Sequence, residues 1–419
     1  MAAGSIACID IGSSKICTVI ADVADGRILE ILGVGDVPSR GVRKGTIVEI
    51  DDAAMAVKQS VEQAESAAGF KAGRTYVGFT GKHIGSTNTI VSVDIARKDR
   101  MITESDIREA EKRLEAVSFP EDRVKVNVIK RRYAVDSVGG IRNPVGMHGY
   151  RLDLEAHIVT ADYGYRENRA ACLERAGVPF SSESFVANPR ASAEAVLESE
   201  DKERGAIVAD IGGGTTGIAV YREGSIWYTA ALPVGGRQIT NDLAIALSIP
   251  FSAAEELKLQ AGTLYPEAEV QPAAAEILER CKISLEEVSY IIRARVEEIL
   301  RMAQSKAPHV PDILVVTGGT ANLPGMDRFA REVFGLQARV GVPRYLPEDS
   351  KGLDDPAYAS AIGLLLWGSR GREYRRDGRG DFGGRLSGLY LGLRSGWSTI
   401  RSRLPRVSFG PSQPEETEG

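Results

Sequence analysis

The sequence predicts an α/β fold in which two similar domains face each other across a cleft. At 419 residues the chain is longer than one hydrophobic core usually supports, so at least two domains are expected. An apolar strand that runs into a glycine-rich turn occurs at residues 6–20 and again at 207–221. A third apolar strand, within residues 312–326, ends in a Gly-Gly pair. The repeated pattern indicates two related domains that present loops to a shared site.

The composition is that of an ordinary globular protein, with 43% hydrophobic and 26% charged residues. A net charge of −5 argues against nucleic acid as a partner. The sequence contains no run of 18 apolar residues and no signal-peptide pattern, so we expect a chain that is neither exported nor membrane-spanning. The cysteines Cys8, Cys17, Cys172 and Cys281 lack disulfide-like spacing, which favours a reduced, cytoplasmic setting. The histidines lack metal-ligand spacing; they are His83, His148, His157 and His309.

The two glycine-rich turns predict phosphate-binding loops. In each copy the strand delivers an aspartate, Asp10 or Asp210, that precedes glycines and hydroxyl residues. Glycine lets backbone N–H groups approach an anion closely, and hydroxyl groups add further donors. Each aspartate is suited to hold Mg²⁺ through water, and Lys15 adds a positive charge. A single such motif is equally explained by a simple hairpin, whereas two copies favour a nucleotide gripped from both sides.

The third motif has the same general character. The strand at residues 313–316 is followed by Gly318 and Gly319 and then by a turn that contains Asn322 and Pro324. Because glycine has no side chain, an adenosine is able to lie flat on this backbone. The alternative is a turn that only reverses the chain.

These three motifs, in this order, resemble those of the actin-like ATPase superfamily, which includes actin, the sugar kinases and the DnaK-type chaperones. The resemblance extends from residue 5 to about residue 368 and implies a two-domain, ribonuclease-H-like fold that binds ATP and Mg²⁺. The pair Glu255 and Lys258 matches the adenine and ribose side, although two charges on one helical face also fit a solvated salt bridge. The implied nucleotide-binding residues are Asp10, Gly12, Ser13, Ser14, Lys15, Asp210, Gly212, Gly213, Gly214, Thr215, Thr216, Gly235, Gly236, Glu255, Lys258, Gly318, Gly319 and Thr320.

The segment between the two phosphate motifs predicts an inserted α+β subdomain at residues 82–162. Residues 123–135 and 150–161 alternate like strands, and a capping box of Thr103 and Asp106 precedes a helix. This module resembles that of the FtsA family, bacterial division proteins that link the FtsZ polymer to the membrane. The pilus-assembly protein PilM shares the insertion and is the main alternative. A sugar or acid kinase on the same fold is a third alternative, for which no catalytic aspartate stands out.

The composition changes abruptly after residue 368, where arginine and glycine become frequent. Residues 369–384 predict a disordered basic linker, and residues 385–406 predict an amphipathic helix that binds the membrane interface and folds on lipid. A helix docked on its own domain through regularly spaced glycines is the alternative. The predicted membrane-binding residues share one helical arc or flank it: Leu386, Leu389, Tyr390, Leu393, Arg394, Trp397, Ile400, Arg401 and Leu404.

The predicted domains follow from these motifs. The first actin-like domain comprises residues 1–81 and 163–190 with a returning helix at 356–368. The second comprises residues 191–230 and 304–355, with a small lobe at 231–303 that contains one or two amphipathic helices. Residues 407–419 form an acidic tail, to which we assign no role.

The resemblance to the FtsA family also implies a function and partners. It implies an ATP-binding protein that forms filaments with itself on the cytoplasmic face of the cell membrane at the division site. Its partners are then the FtsZ C-terminal peptide at the small lobe, an anionic membrane surface and downstream division proteins. Asn188 occupies a position where many filament-forming relatives carry a glutamate that orients water. An amide cannot accept the proton, so we expect slow or negligible ATP turnover.

Overall fold

A computed structural model describes residues 4–24, 26–267, 272–307, 311–350 and 352–370. The predicted membrane helix, the acidic tail and the linker from residue 371 onward lie outside the described residues. Within the described part of the chain, no helix is long and apolar enough to cross a membrane.

The described residues form both strands and helices, as the predicted α/β fold requires. The strands are β1 (Gly4–Ile11), β2 (Lys15–Ala24), β3 (Arg27–Pro38), β4 (Val42–Arg43), β5 (Thr46–Ile47), β6 (Arg74–Phe79), β7 (Gly85–Asp94), β8 (Arg123–Val135), β9 (Val138–Ile141), β10 (Arg151–Asp162), β11 (Phe185–Ala187), β12 (Ala206–Ile211), β13 (Thr216–Arg222), β14 (Ser225–Leu232), β15 (Ile313–Thr317) and β16 (Gln337–Val340). The helices are α1 (Ile50–Ala68), α2 (Glu104–Glu115), α3 (Tyr163–Ala176), α4 (Asn188–Val196), α5 (Ser199–Arg204), α6 (Gly236–Ala246), α7 (Phe251–Ala261), α8 (Pro272–Cys281), α9 (Leu285–Gln304), α10 (Met326–Phe334) and α11 (Ala359–Arg370).

Two five-stranded sheets have the same topology. In the first, the order is β11-β6-β1-β2-β3; in the second, read from the other edge, it is β14-β13-β12-β15-β16. Each begins with an antiparallel three-strand meander, and its first strand then pairs with a parallel strand, β6 or β15. The parallel strands are connected through helices, as parallel pairing requires. The sequence repeat therefore corresponds to a repeat of the whole sheet.

The inserted subdomain is a four-stranded antiparallel sheet, in the order β7-β10-β8-β9, with α2 packed on it. The predicted capping box is present, since the Thr103 backbone N–H donates to Asp106 Oδ2 at 2.8 Å. This sheet also contacts the second actin-like domain. His157, fully buried in β10, hydrogen-bonds Asn88 Oδ1 at 2.8 Å and Thr229 Oγ1 at 3.0 Å, and Thr229 belongs to β14.

Helices α4 and α11 pack together between the two large sheets. Their backbones approach so closely that a Cβ on Gly363 would clash with the carbonyl oxygen of Ala191. Helix α11 is described as far as Arg370, so residues 369 and 370, predicted as the start of the linker, are helical. Arg370 forms an ion pair with Glu194 at 2.6 Å, which connects this part of α11 to α4.

The small lobe consists of α6 to α9, and the predicted amphipathic stretch within it forms two helices, α8 and α9. The side chain of Ser284 caps α9 by accepting a hydrogen bond from the Glu287 N–H at 3.2 Å. The apolar face of α9 is buried in the core of the second domain, as its periodicity predicts.

Candidate nucleotide-binding site

The two predicted phosphate turns are hairpin turns with the same register. In the first, Asp10 pairs with Cys17 and the Gly12 N–H donates to the Lys15 carbonyl at 3.0 Å. In the second, Asp210 pairs with Gly217 and the Gly212 N–H donates to the carbonyl of Thr215 at 2.9 Å. Each aspartate therefore lies at the same point of its hairpin, two residues before the first glycine of the turn.

The two turns meet across the cleft. A Cβ on Gly213 would clash with Ser14 Oγ, and a Cβ on Gly214 would lie 2.6 Å from Ser13 Oγ. Glycine is therefore required at these positions because the opposite turn occupies the space of a side chain. The close approach places two sets of backbone N–H groups and two serine hydroxyls beside one volume.

That volume is a cavity of about 550 Å³ between the two domains, large enough for a nucleotide. Of the eighteen residues predicted for the site, sixteen line it; Thr216 and Gly235 do not. Thr216 is buried behind the turn, where its hydroxyl donates to the Val234 carbonyl at 2.9 Å. Gly235 supports the second turn from behind, since a Cβ there would clash with the carbonyl oxygen of Gly212.

The two aspartates share the floor of the cavity. Asp10 Oδ1 accepts a hydrogen bond from Asn188 Nδ2 at 2.7 Å, and Asp210 Oδ2 accepts one from Ser360 Oγ at 2.8 Å. Burial raises the pKa of Asp10. Burial also raises the pKa of Asp210 to about 6, and the negative charge of Asp10 adds to this shift. The cavity floor therefore favours a cation, which would relieve the repulsion between the carboxylates.

The positively charged side chains that line the cavity already have partners. Lys15 Nζ lies 2.9 Å from Asp36 Oδ2 and 3.4 Å from the centroid of the Tyr358 ring. Burial lowers the pKa of Lys15, but the carboxylate of Asp36 outweighs this effect and the net pKa is raised. Lys258 Nζ lies 2.8 Å from Glu255 Oε2, and its side chain is only 12% exposed. This pair is thus part of the cavity wall rather than a solvated surface bridge.

The Gly-Gly motif closes the third side of the cavity. Gly318 follows β15 with φ of 84°, a left-handed conformation that favours glycine. A Cβ there would lie 2.5 Å from Asp210 Oδ1, so both the backbone conformation and the lack of space favour glycine at this position. Thr320 Oγ1 donates to the Gly212 carbonyl at 3.3 Å, which connects the third motif to the second phosphate turn.

Several lining residues were not predicted from the sequence. Arg237 and Phe251 form one wall, with the guanidinium 4.9 Å from the ring centroid, and Leu259 lies on the same side. Arg237 directly follows the Gly235-Gly236 pair in the sequence, and this position could have marked it as a lining residue of the cavity. The others come from distant parts of the chain and carry no local pattern: Ser39, Thr80, Pro356, Ala357 and Ser360.

Comparison with known proteins identifies the family. A family model described as cell division protein FtsA matches residues 207–363, and one described as the SHS2 domain inserted in FtsA matches residues 81–160. The cell division protein FtsA of Pseudomonas aeruginosa is 33% identical over 377 residues, which cover 86% of this chain and 88% of that protein. The chain belongs to the FtsA family. The FtsA of Neisseria meningitidis is 35% identical, with 86% and 89% of the two chains covered, and that of Bacillus subtilis is 32% identical, with 86% and 83% covered.

Solved structures share the fold of this FtsA-family chain. A chain of the PilM-PilN type IV pilus biogenesis complex has a TM-score of 0.58 at 18% identity, with 87% of this chain and 98% of that chain covered. MreB 5 of Spiroplasma citri, bound to AMPPNP, has a TM-score of 0.50 at 12% identity, with 89% and 98% covered. These likenesses, together with the SHS2 match, confirm the predicted actin-like α/β fold with an inserted subdomain. Sequence similarity favours FtsA over the PilM alternative.

Proposed function

We propose that this protein binds ATP and Mg²⁺ in the cavity between its twin turns, polymerises on the inner face of the cytoplasmic membrane, and tethers the FtsZ ring there. The observation that carries the nucleotide part is the meeting of two identically registered phosphate turns across one cavity. Membership of the FtsA family supports the role in cell division. The remaining parts are implied by resemblance to that family.

The cavity fits a nucleotide. The second turn offers the backbone of three glycines and the first adds two serine hydroxyls, which together suit a chain of phosphates. The Gly318-Gly319 segment offers a flat backbone for the adenosine, and the Glu255–Lys258 pair of the small lobe lines the same cavity. An apolar wall at Phe251 provides a surface for the base.

The cavity floor also fits Mg²⁺. The ion prefers one or two carboxylates together with phosphate oxygens and water. Asp10 and Asp210 supply the carboxylates, and burial is the main cause of the raised pKa of each. When bound, Mg²⁺ would neutralise charge on the phosphates. Among the described residues, no cluster of three or more His, Cys, Asp or Glu side chains offers a metal site made by protein alone.

Hydrolysis is expected to be slow or negligible. Asn188 lies beside the cavity floor and its Nδ2 is bound to Asp10, while its Oδ1 has no hydrogen-bond partner among the described residues. The amide is able to orient a water molecule but cannot accept its proton. ATP would then act as a structural and polymerisation ligand. Turnover as fast as that of the DnaK-type chaperones would contradict this proposal.

The membrane role depends on residues 385–406, which lie outside the described residues. It is supported by their sequence pattern, in which an apolar arc is flanked by arginines. The other proposed partners are the FtsZ C-terminal peptide at the small lobe, a second copy of the chain in the filament, and downstream division proteins at the inserted subdomain.

The test is co-sedimentation with anionic liposomes in the presence of Mg²⁺-ATP. The full chain should pellet, whereas a version that ends at Gly378 should stay in solution. A matched pair of full-length variants separates apolar insertion from charge: Trp397→Asp should abolish pelleting, and Ser395→Asp, on the opposite side of the helix, should weaken it less. If both lengths pellet equally, or neither does, the tail is not an anchor and a cytoplasmic adaptor like PilM becomes the better interpretation.

A further inference from the structure

We propose that Lys44 is a further nucleotide-binding residue, which contacts the terminal phosphate from outside the two phosphate turns. This inference rests on the proposed ATP site. Lys44 lies in a small hairpin between β3 and α1, formed by β4, β5 and the two-residue turn Lys44-Gly45. Both turn residues have positive φ, 49° and 74°, as a type I′ turn requires.

Three hydrogen bonds bind this part of the chain to the first phosphate turn, two from Ser39, which precedes β4, and one from the tip of the hairpin. The Ser39 N–H donates to the Ser14 carbonyl at 3.0 Å, and Ser39 Oγ donates to the Gly12 carbonyl at 2.7 Å. At the tip, the Gly45 N–H donates to Ser13 Oγ at 2.8 Å. The tip of the hairpin therefore keeps a fixed position relative to the first turn.

The same tip touches the second phosphate turn. A Cβ on Gly214 would lie 3.3 Å from the Cα of Lys44, and a Cβ on Gly45 would lie 3.1 Å from the methyl carbon of Thr215. The backbone of Lys44 is thus at the junction of the two turns. A lysine side chain is a flexible four-carbon stem with a charged end, long enough to reach an anion held between them.

A rigid base supports the tip from the first domain. The Gly45 carbonyl accepts hydrogen bonds from the Tyr165 hydroxyl and from Arg169 Nη1, the latter at 3.4 Å. Arg169 is 1% exposed, and its Nη2 donates to the Ile11 carbonyl at 3.0 Å, between Asp10 and the first glycine turn. Because α3 carries both Tyr165 and Arg169, one helix holds the hairpin and the turn in register.

The charge balance of the cavity favours a further positive side chain, which Lys44 is able to supply. ATP carries more negative charge than one Mg²⁺ neutralises, and the floor adds two carboxylates. Lys15 and Lys258 are already paired with Asp36 and Glu255, and Arg237 is stacked on a ring. Lys44 is exposed, and within the described part of the chain its side chain makes no ion pair and no hydrogen bond. Lys44 is therefore an unpaired cation whose backbone lies beside the junction of the two turns, next to the residues that line the cavity.

The test compares ATP with ADP. Calorimetric titrations in Mg²⁺ use the full chain and the variants Lys44→Asn, Lys44→Arg and Arg43→Gln. Asparagine tolerates positive φ and is neutral, so it removes the charge without new backbone strain. Lys44→Asn is expected to weaken ATP binding about tenfold or more, the loss of one charge-assisted hydrogen bond, with little change for ADP. Lys44→Arg should retain most of the ATP affinity, and Arg43→Gln, the matched control, should retain both affinities.

Each other outcome is decisive. If the unmodified chain binds neither nucleotide, the proposed ATP site fails and this inference fails with it. If the unmodified chain binds both, while Lys44→Asn leaves ATP binding unchanged or weakens ATP and ADP equally, the ATP site stands and the contact with the terminal phosphate is wrong. Equal losses in Lys44→Asn and Arg43→Gln would show a general effect of hairpin charge, which also overturns the specific contact.

Discussion

Replacing Asp210 by asparagine is expected to stabilise the nucleotide-free protein while weakening its binding of Mg²⁺-ATP. In the free protein, burial and the charge of Asp10 raise the pKa of Asp210 from 3.8 to about 6. A group whose pKa is higher in the folded state binds protons more tightly there, so its ionisation destabilises the fold. The penalty is absent below pH 3.8, grows between about pH 4 and 6, and is complete at pH 7. Asparagine avoids it and can still accept the hydrogen bond from Ser360.

The magnitude follows from the shift. A rise of about two pKa units corresponds to about 3 kcal/mol, because one unit is worth about 1.4 kcal/mol. The carboxyl borders a cavity open to solvent, so screening reduces this figure, and we expect a gain of about 1 to 3 kcal/mol at pH 7.5.

The assay is urea unfolding without nucleotide and with a chelator, at pH 4 and pH 7.5. The gain should be present at pH 7.5 and nearly absent at pH 4. Asp94→Asn, an exposed position on the inserted subdomain, is the control and should change little at either pH. An Asp210→Asn protein that is less stable than the unmodified chain at pH 7.5 would refute the electrostatic reasoning.

Three further predictions test the structure around the site. Glu194→Gln should lower the unfolding free energy at pH 7 by about 3 kcal/mol, because it leaves Arg370 and its neighbours without a buried carboxylate. Burial alone raises the pKa of Glu194, but the nearby cations lower it to about 2. The stabilisation is therefore present above pH 4.5 and is lost as the pH falls through about 2. Gly363→Ala should lower the melting temperature by forcing α11 away from α4, at a cost of about 3 kcal/mol, whereas Gly164→Ala, a helical glycine with open space around it, should not lower it. Gly235→Ala should weaken ATP binding about tenfold or more, measured by titration, because its methyl group displaces the second phosphate turn; an unchanged affinity would show that this turn does not hold the phosphates.

Much of the fold was predictable because its signals are local. The strand at residues 123–135, the capping box at Thr103 and the two hairpins each depend on neighbouring residues, and the structure has them where the sequence predicts them. The repetition of the hairpin predicted two related domains, and their sheets indeed share one topology.

The parts that were not predicted depend on contacts between distant segments. Ser360 reaches Asp210 across 150 residues, and Tyr358 reaches Asp36 across 322 residues, so neither position has a local pattern that marks it as part of the site. The end of α11 was placed at residue 368 because the composition changes there, whereas residues 369 and 370 are still helical and Arg370 pairs with the distant carboxylate of Glu194. Thr216 belongs to the motif by sequence but is buried behind it, because alternate residues of a strand point to opposite faces.

The most direct test of the central claim is an experimental structure with a non-hydrolysable ATP analogue and Mg²⁺. The account predicts that the phosphates lie between the turns at Gly12–Lys15 and Gly212–Thr215, with the ion near Asp10 and Asp210 and the adenosine beside Gly318. A nucleotide bound elsewhere, or a cleft that stays empty at saturating analogue, would contradict it.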